Sequence, residues 1–493
     1  METNKKVINI GLKIIKLCFI IFSTIFLTTN TIYSPTREGY EYIFSYTPII
    51  VFLLSIIILY LMYKYINKIN ISKGIYISLF ILLVYGLFII FSAPINVSLG
   101  VDADDLKNAA FKMLEHDYSG ISYKSYVNMH PHQLGLLSYY YLVAKLFNNN
   151  FDYIIRVINL LITLISIYYL YKINNILFNN ELCNKIFIIL ILLFTPLINI
   201  SFDIYSYSIS YGLGIISIYY FINYIRNNNI KYLIISLMLL IITLLFKYNN
   251  VIILIGYSIY LIIKLIEDKK IISIIVLGIS LLVYSCISGL LISYYENIGQ
   301  TTYDNKLPTN AYLAYGLNHN LKTPGMHFSA ISNYHFDNDF SVEYTTKEAN
   351  RYILEFVDHM KNNKIDLLKF INYKLALSYS VSDGSSFTRL QSSTNNNLYN
   401  NIIRGNIKYI SNYIWDALYI IIGIGLIVFC INKRKEKDIY IYIISTIIVG
   451  GFLYHLLFET KPKYLIQYIT LLIPYASYGI NKVIINMNKK ELI

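Results

Sequence analysis

Three carboxylates and two histidines are the first side chains in this sequence with the chemistry of an active site. Asp102, Asp104 and Asp105 stand in VDADD, directly after a long apolar stretch, and His130 and His132 follow in NMHPHQLG. A carboxylate at the mouth of an apolar segment is partly desolvated and can accept a proton from a hydroxyl group. The pattern suggests a general base with further polar groups close by.

Each of these groups also has a purely structural interpretation. Aspartates in the first turn of a helix complement its dipole, and DDLKNAAFKMLEH has the pattern of an amphipathic helix at a membrane interface. Pro131 between the histidines excludes the i, i+4 spacing of a helical metal-binding pair. The histidines are either cations or hydrogen-bond donors near a phosphate, or ordinary interfacial residues.

Two further charged residues stand alone in apolar surroundings. Asp203 lies in LINISFDIYSYS and Lys247 in LLFKYNNVI. An ionisable group at such a depth is costly and is a functional hypothesis by default, although a lysine can also snorkel to the lipid headgroups. Asp203 needs a cation from elsewhere in the chain, and Arg156 and Lys247 are the candidates.

The overall composition indicates a membrane protein. Of the 493 residues, 56% are hydrophobic and 14% are charged, with a mean hydropathy of +0.52, whereas soluble domains have about 25% charged residues. The net charge of +13 comes largely from short segments between apolar runs, where lysine and arginine set topology rather than bind nucleic acid. The four cysteines lack CxxC spacing, which argues against disulfides or a zinc site.

Helices of about 20 apolar residues can cross the hydrocarbon core of a bilayer. The apolar run near the N-terminus is too long for a signal peptide, so we expect an uncleaved first span. The stretch 134–147 reaches only about 21 Å as a helix, and we expect it to lie along or dip into the membrane. The predicted crossings are 7–29, 47–66, 75–96, 153–172, 184–201, 205–225, 231–247, 250–266, 271–294, 411–431, 439–457 and 464–483.

This assignment places the basic connections on one side, which the positive-inside rule makes cytoplasmic. The chain then divides into an N-terminal transmembrane module, 1–295, with a first extracytoplasmic loop at 97–152, then an extracytoplasmic domain at 296–410 and C-terminal transmembrane helices at 411–493. The segment TKEANRYILEFVDHMKNNK is expected to be helical. The charged clusters, including FETKPK at 458–463, share the outer side and predict one cavity for a charged or strongly polar ligand.

The order of these motifs resembles the GT-C glycosyltransferase superfamily, in particular bacterial relatives of protein O-mannosyltransferases and the aminoarabinose transferase, which are glycosyltransferase family 39-like. Two departures are evident: Lys463-Tyr464 stands where Arg-Tyr is usual, and HPH replaces the HPP of mannosyltransferases. The motifs that carry the resemblance are DADDLKNAAFKML, YVNMHPHQLGLLSYYY, RVINLLITLISIYYLY, LLFTPLINISFD, LLFKYNNVI, YLAYGLNHNLKTPGMH and FETKPKYLIQYITLLIP.

The resemblance implies an all-α polytopic GT-C fold of roughly 12–13 transmembrane helices with juxtamembrane helices. It also implies a polyprenyl-phosphate-linked sugar donor and an extracytoplasmic acceptor, a protein or a cell-envelope glycan. Asp102 matches the family's first-loop catalytic acid and Asp203 its second acidic residue. Lys247 matches a cation near the lipid phosphate, and His130 and His132 fall where donor-proximal groups lie.

On this basis we expect inverting transfer of a hexose or pentose at the outer face of the plasma membrane. Asp102 would be the base, and Asp104 or Asp203 would orient the acceptor. Neither a cofactor nor a metal site is indicated, although a divalent metal is compatible. The donor and its phosphate would be held by groups drawn from His130, His132, Arg156, Lys247, Glu459, Lys463 and Tyr464.

Two other classes of protein share some of these features. A polysaccharide polymerase would use arginines of the outer loops, for which Arg351, Arg389 and Arg404 are available. A lipid-linked sugar flippase or other transporter would show paired repeats with broken helices at the midplane, and no such internal symmetry is apparent.

Overall fold

A computed structural model describes residues 2–38, 41–93, 101–269, 271–386, 394–433, 436 and 438–491. Almost all of this described chain is helical, and its sheet is a single hairpin of two strands. A bilayer offers no partners to backbone N–H and C=O groups, so spanning segments satisfy them internally as helices. The fold class predicted from the sequence, an all-α polytopic membrane protein, is confirmed.

The N-terminal part of the chain combines three long helices with an antiparallel hairpin that the sequence did not reveal. The hairpin pairs Tyr33 with Tyr46 and Glu38 with Glu41, and Tyr42 on it packs against Leu377 and Val381. The elements are α1 (Glu2–Ile32), β1 (Tyr33–Glu38), β2 (Glu41–Tyr46), α2 (Ile49–Tyr65), α3 (Ile71–Ser92), α4 (Val101–Leu114), α5 (Tyr126–Met129) and α6 (Leu134–Phe147).

The middle of the chain forms the body of the helix bundle. One span is broken, because its two helical pieces meet at an angle of 51° where Thr195 and Pro196 interrupt the run of hydrogen bonds. The elements are α7 (Phe151–Phe178), α8 (Glu181–Leu193), α9 (Pro196–Asn199), α10 (Tyr207–Asn227), α11 (Ile230–Phe246), α12 (Val251–Asp268) and α13 (Ile271–Gly299).

The long polar segment after α13 is itself helical, and three helices follow it. The segment TKEANRYILEFVDHMKNNK, residues 346–364, lies almost entirely in α16, which confirms its predicted helicity. The elements are α14 (Thr309–Gly316), α15 (Ser329–Asp337), α16 (Val342–Asn362), α17 (Lys364–Tyr379), α18 (Asn397–Arg404), α19 (Asn406–Lys433), α20 (Ile443–Leu457) and α21 (Pro462–Glu491).

In the described part of the chain, nine helices are long and apolar enough to cross a membrane, or ten if the bent pair α8–α9 is one span. The 17-residue α11 is too short for that test. The central α21 carries Gln467, Asn481 and several tyrosines, and its side chains are largely enclosed by other helices. With these two, twelve helical segments of the described chain correspond to the twelve predicted crossings.

The helix α6, predicted not to cross, packs outside the main core. Leu136, Leu137 and Tyr140 join a second hydrophobic cluster with α4 and with Tyr295 at the end of α13. Asn148, whose φ is positive at 30°, separates α6 from α7. Asparagine adopts a positive φ more readily than most other non-glycine residues. The helix therefore braces α4 and the two histidines that precede it.

The closest helix contact in the bundle depends on glycine. A Cβ atom added at Gly479 of α21 would lie 1.8 Å from the carbonyl oxygen of Gly425 on α19. Gly278 on α13 is the opposite case, since a Cβ atom there would meet no other heavy atom within 4 Å.

Gly479→Ala should therefore force α19 and α21 apart, and overpacking of this kind typically costs about 1–3 kcal/mol. We expect a lower apparent unfolding temperature for the purified protein in detergent. The matched control, Gly278→Ala, should leave that temperature unchanged or raise it slightly, because alanine favours a helix over glycine. Equal unfolding temperatures for the two variants would contradict the close contact.

Candidate functional site

The site begins with Asp102 in the first turn of α4. Leu106 and Ala110 follow Asp102 at helical spacing and are fully buried in the second cluster, so Asp102 shares their inward face. Lys107 fixes the helix to α7 through an ion pair with Asp152 at 2.8 Å. Asp102 therefore has a defined orientation.

Asp104 does not share that orientation. Residues two apart on an α-helix are about 200° apart around its axis, so Asp104 lies on the side away from Asp102. Its role as a second acceptor-orienting group stays a prediction. Its position in the first turn agrees with the helix-start interpretation.

Titratable groups from three separate sequence segments gather around Asp102. Its carboxylate acts electrostatically on His130 and His132 before α6, on Lys247 after α11, and on Glu459 and Lys461 between α20 and α21. The sequence prediction that these clusters form one site at one end of the bundle is consistent with this arrangement.

His130 and His132 lie on either side of Pro131, with their ring centroids 5.7 Å apart. His130 Nδ1 is 3.1 Å from the hydroxyl of Tyr312 on α14. Burial, with a smaller contribution from His132, lowers the pKa of His130. His130 is therefore neutral at pH 7 and suited to hydrogen bonding rather than to acting as a cation.

The segment after the histidines is tied to the connection that carries Asp203. Gln133 Nε2 donates to the Tyr126 hydroxyl at 2.6 Å, and the Tyr205 hydroxyl donates to Gln133 Oε1 at 2.8 Å. This short chain of hydrogen bonds fixes the backbone that presents His132 relative to α10.

Lys247 lies between α11 and α12, where three aromatic rings surround its ammonium group. Its Nζ is 4.1 Å from the ring centre of Tyr207, 4.8 Å from that of Tyr464 and 5.4 Å from that of Tyr205. Such cation–π contacts hold a cation without neutralising it. Burial and the positive charge of Lys463 lower the pKa of Lys247 to about 7, against the opposing effect of the nearby carboxylates.

Asp203 is almost fully buried, and its cation is neither of the two that the sequence suggested. Its Oδ2 atom is 3.6 Å from Lys463 Nζ, whereas Arg156 and Lys247 act on it only at longer range. Its Oδ1 atom accepts from the Tyr205 amide at 3.1 Å. Lys463, at the start of α21, is far from Asp203 along the chain, so the sequence did not indicate this ion pair.

Glu459 forms the second ion pair of the site, with Lys461 at 2.7 Å. Burial alone would raise the pKa of Glu459, but the Lys461 ammonium more than offsets it and the net shift is downward. The Tyr464 hydroxyl lies 3.5 Å from Glu459. Both members of the pair are thus charged at neutral pH.

Arg156 lies apart from this group, on α7. Its side chain is only 1% exposed, and none of its three guanidinium nitrogens has a hydrogen-bond partner among the described residues. The charges acting on it include Asp152 and Asp203. Arg156 therefore interacts electrostatically with the site through Asp203.

The site has a solvent-accessible mouth. His132 and His327 keep exposed surface although protein surrounds both of them, which is the signature of a cleft. Tyr312, Tyr315 and His327 come from the segment YLAYGLNHNLKTPGMH, and the rings of Tyr315 and His327 are 4.6 Å apart. Sequence reasoning singled out that segment without assigning its residues to the site.

One of the arginines that a polymerase would use is paired within its own helix. Arg351 is held on an exposed face of α16 by Glu348 and Glu355, at 2.5 Å each. Arg389 lies outside the described residues, as do 97–100 of the predicted first loop. Within the described ranges, no group of three or more histidine, cysteine or acidic side chains is arranged to hold a metal ion.

Fold and site together define a multi-pass α-helical membrane protein with a cleft of lysines, carboxylates and tyrosines at one end. Residues 137–292, about a third of the chain, match the family model of dolichyl-phosphate-mannose-protein mannosyltransferases. The match confirms the resemblance to GT-C membrane glycosyltransferases and indicates a glycosyltransferase that uses a polyprenyl-phosphate-linked sugar. Comparisons with curated proteins and with solved structures give no match.

Proposed function

We propose that this protein transfers a sugar from a polyprenyl phosphate to an extracytoplasmic hydroxyl acceptor, with inversion at the anomeric carbon and with Asp102 as the general base. The observation that carries this proposal is the convergence of Asp102, Lys247 and Glu459 from distant segments in one cleft. The family match supports the donor class.

The chemistry requires the acceptor oxygen, the anomeric carbon and the leaving phosphate oxygen to lie in a line. The acceptor hydroxyl attacks the anomeric carbon, its oxygen–carbon bond forms as the carbon–phosphate oxygen bond breaks, and the hydroxyl proton passes to Asp102. A single displacement without a covalent sugar–enzyme intermediate inverts the configuration. Asp102 suits the role of base because it is half-buried and keeps a defined orientation on α4.

The leaving polyprenyl phosphate gains negative charge in this step, and fixed cations nearby stabilise that charge. Lys247 and Lys463 approach the same ring of Tyr207 from distances of 4.1 and 4.8 Å, so their ammonium groups flank one small region. We assign the donor phosphate to this region. Arg156, which is buried and interacts electrostatically with Asp203, adds positive charge next to this region.

The aromatic groups of the cleft suit a sugar. Tyr205, Tyr207 and Tyr464 supply flat apolar faces next to hydroxyl groups, and His130 with Tyr312 supplies a hydrogen-bonding pair. The prenyl chain would lie against the apolar helices, where each buried methylene contributes about 0.8 kcal/mol.

Replacement of the base should abolish most activity without unfolding the protein. Asp102→Asn in purified membranes should lower kcat for transfer from a polyprenyl-phosphate sugar by about 10²- to 10⁴-fold, the usual contribution of a general base. Asp117→Asn, on the exposed turn after α4, is the matched control and should retain activity. Undiminished transfer in a folded Asp102→Asn protein would exclude Asp102 as the base.

Donor binding should weaken as the pH rises past neutrality. The phosphodiester of the donor keeps one negative charge throughout, whereas Lys247, with its pKa lowered to about 7, loses its charge above that pH. The Km for the donor should therefore increase between about pH 6 and about pH 8.5, and Lys247→Arg should flatten the increase because arginine stays protonated.

The charged groups that act on Lys247 are Lys463, Glu459, Asp102 and Asp203. Lys461 keeps the pKa of Glu459 below its usual value, so Glu459 adds no slope of its own in this range. A donor Km that is independent of pH in the unaltered protein would contradict the assignment of Lys247 to the phosphate.

We also propose that the cleft faces outward. The basic connections lie at the helix ends remote from Asp102, in agreement with the positive-inside rule. A cysteine in place of exposed Lys322, in a background where lipid-facing Cys286 is serine, should react with an impermeant maleimide in intact cells. A cysteine in place of exposed Lys231, at the remote end, should react only after permeabilisation. The reverse pattern would invert the topology.

A further inference from the structure

The connection between α20 and α21 is held by a buried lysine from outside the transmembrane bundle. Lys374 on α17 is 1% exposed. Its Nζ atom donates to three backbone carbonyl oxygens, those of Gly316 at 2.5 Å, Leu456 at 2.9 Å and Phe458 at 3.1 Å. A lysine has three N–H donors and no acceptor, so three carbonyl oxygens satisfy it completely.

Other hydrogen bonds hold the same short connection from both sides. The Thr460 amide donates to the Gly325 carbonyl at 2.9 Å, and the hydroxyls of Thr460 and Ser378 are 2.9 Å apart. His455 Nδ1 is 3.0 Å from the Glu459 carbonyl oxygen. Almost every backbone group next to Glu459 therefore has a fixed partner.

Two glycines make this close approach possible. A Cβ atom at Gly316 would lie 2.1 Å from the Leu457 carbonyl oxygen, and one at Gly325, whose φ is +70°, would lie 2.5 Å from Lys374 Cε. The segment 316–325 can wrap the lysine only because these positions have no side chain.

We propose that Lys374 is a positioning residue that acts through Glu459: it anchors the 456–460 backbone so that the Glu459–Lys461 ion pair stays in the cleft beside Asp102. The inference rests on the proposed function for its catalytic consequence, but the anchoring itself does not depend on which reaction the cleft performs. Lys374 does not itself touch the substrate.

The first test measures the anchoring alone. Lys374→Met keeps the apolar stem and removes all three hydrogen bonds, so amide hydrogen exchange should become faster in peptides that contain Phe458 and Thr460. Peptides from α10 should exchange at the same rate as in the unaltered protein. Lys369→Met, on an exposed face of the same helix, is the matched control and should change the exchange rate neither in the connection nor in α10. Unchanged exchange in the connection would overturn the proposal.

The second test is a double-mutant cycle for transfer activity. Lys374→Met should lower kcat by about tenfold to a hundredfold through misplacement of the ion pair, with a smaller effect on the donor Km. In a Glu459→Gln background the same change should have almost no further effect, because residues that act through one group are not additive. Fully additive losses would show that Lys374 has only a general structural role.

A fallback variant and one pattern of results keep this inference distinguishable from the proposed function. If Lys374→Met does not fold, Ser378→Ala removes the link to Thr460 together with the hydroxyl's bond to the Lys374 carbonyl within α17, and should show the same pattern of exchange and coupling with smaller changes. If Asp102→Asn and Glu459→Gln both transfer sugar normally, the proposed function fails, whereas the exchange measurement still decides whether Lys374 anchors the connection.

Discussion

The cost of charge in an apolar medium governs the whole structure. Every ionised group removed from water needs a partner or a solvent-accessible cleft, and the helices of this bundle offer neither along most of their length. The charged groups of the site accordingly meet at one end, where Asp203 pairs with Lys463 and Glu459 pairs with Lys461. Both lysines come from a single connection, so the position of 458–463 determines the electrostatics of the cleft.

The sequence predicted the membrane helices well because their signal is local. A helix facing lipid must be apolar along its length, and eleven of the twelve predicted crossings each overlap one helix of the described chain. The exceptions have physical reasons. The predicted crossing 184–201 overlaps the bent pair α8–α9, because Thr195 and Pro196 interrupt the helix. The hairpin at 33–46 is stabilised by α17, more than 300 residues away, and carries little signal of its own.

The structure brings together most of the charged residues that the sequence singled out, but their ion pairs are not ones that the sequence indicated. Isolated charges in apolar runs singled out Asp203 and Lys247, and a cluster of carboxylates after an apolar run singled out Asp102, as candidate site residues. Their partners depend on tertiary geometry. Lys463 pairs with Asp203 although the chain between them spans most of the molecule, and Tyr312 and His327 reach the cleft from a polar segment whose fold the sequence did not specify.

The charge balance of the cleft explains why a lysine with a lowered pKa is useful there. Asp102, Asp203 and Glu459 face Lys247, Lys461 and Lys463, and two of these lysines already have carboxylate partners. Lys247 instead lies over tyrosine rings, where burial and Lys463 disfavour its proton. An anionic phosphate placed beside it would raise its pKa again, since an opposite charge favours the ionised form. If the donor phosphate binds beside Lys247 as proposed, donor binding and protonation of Lys247 are linked, and each promotes the other.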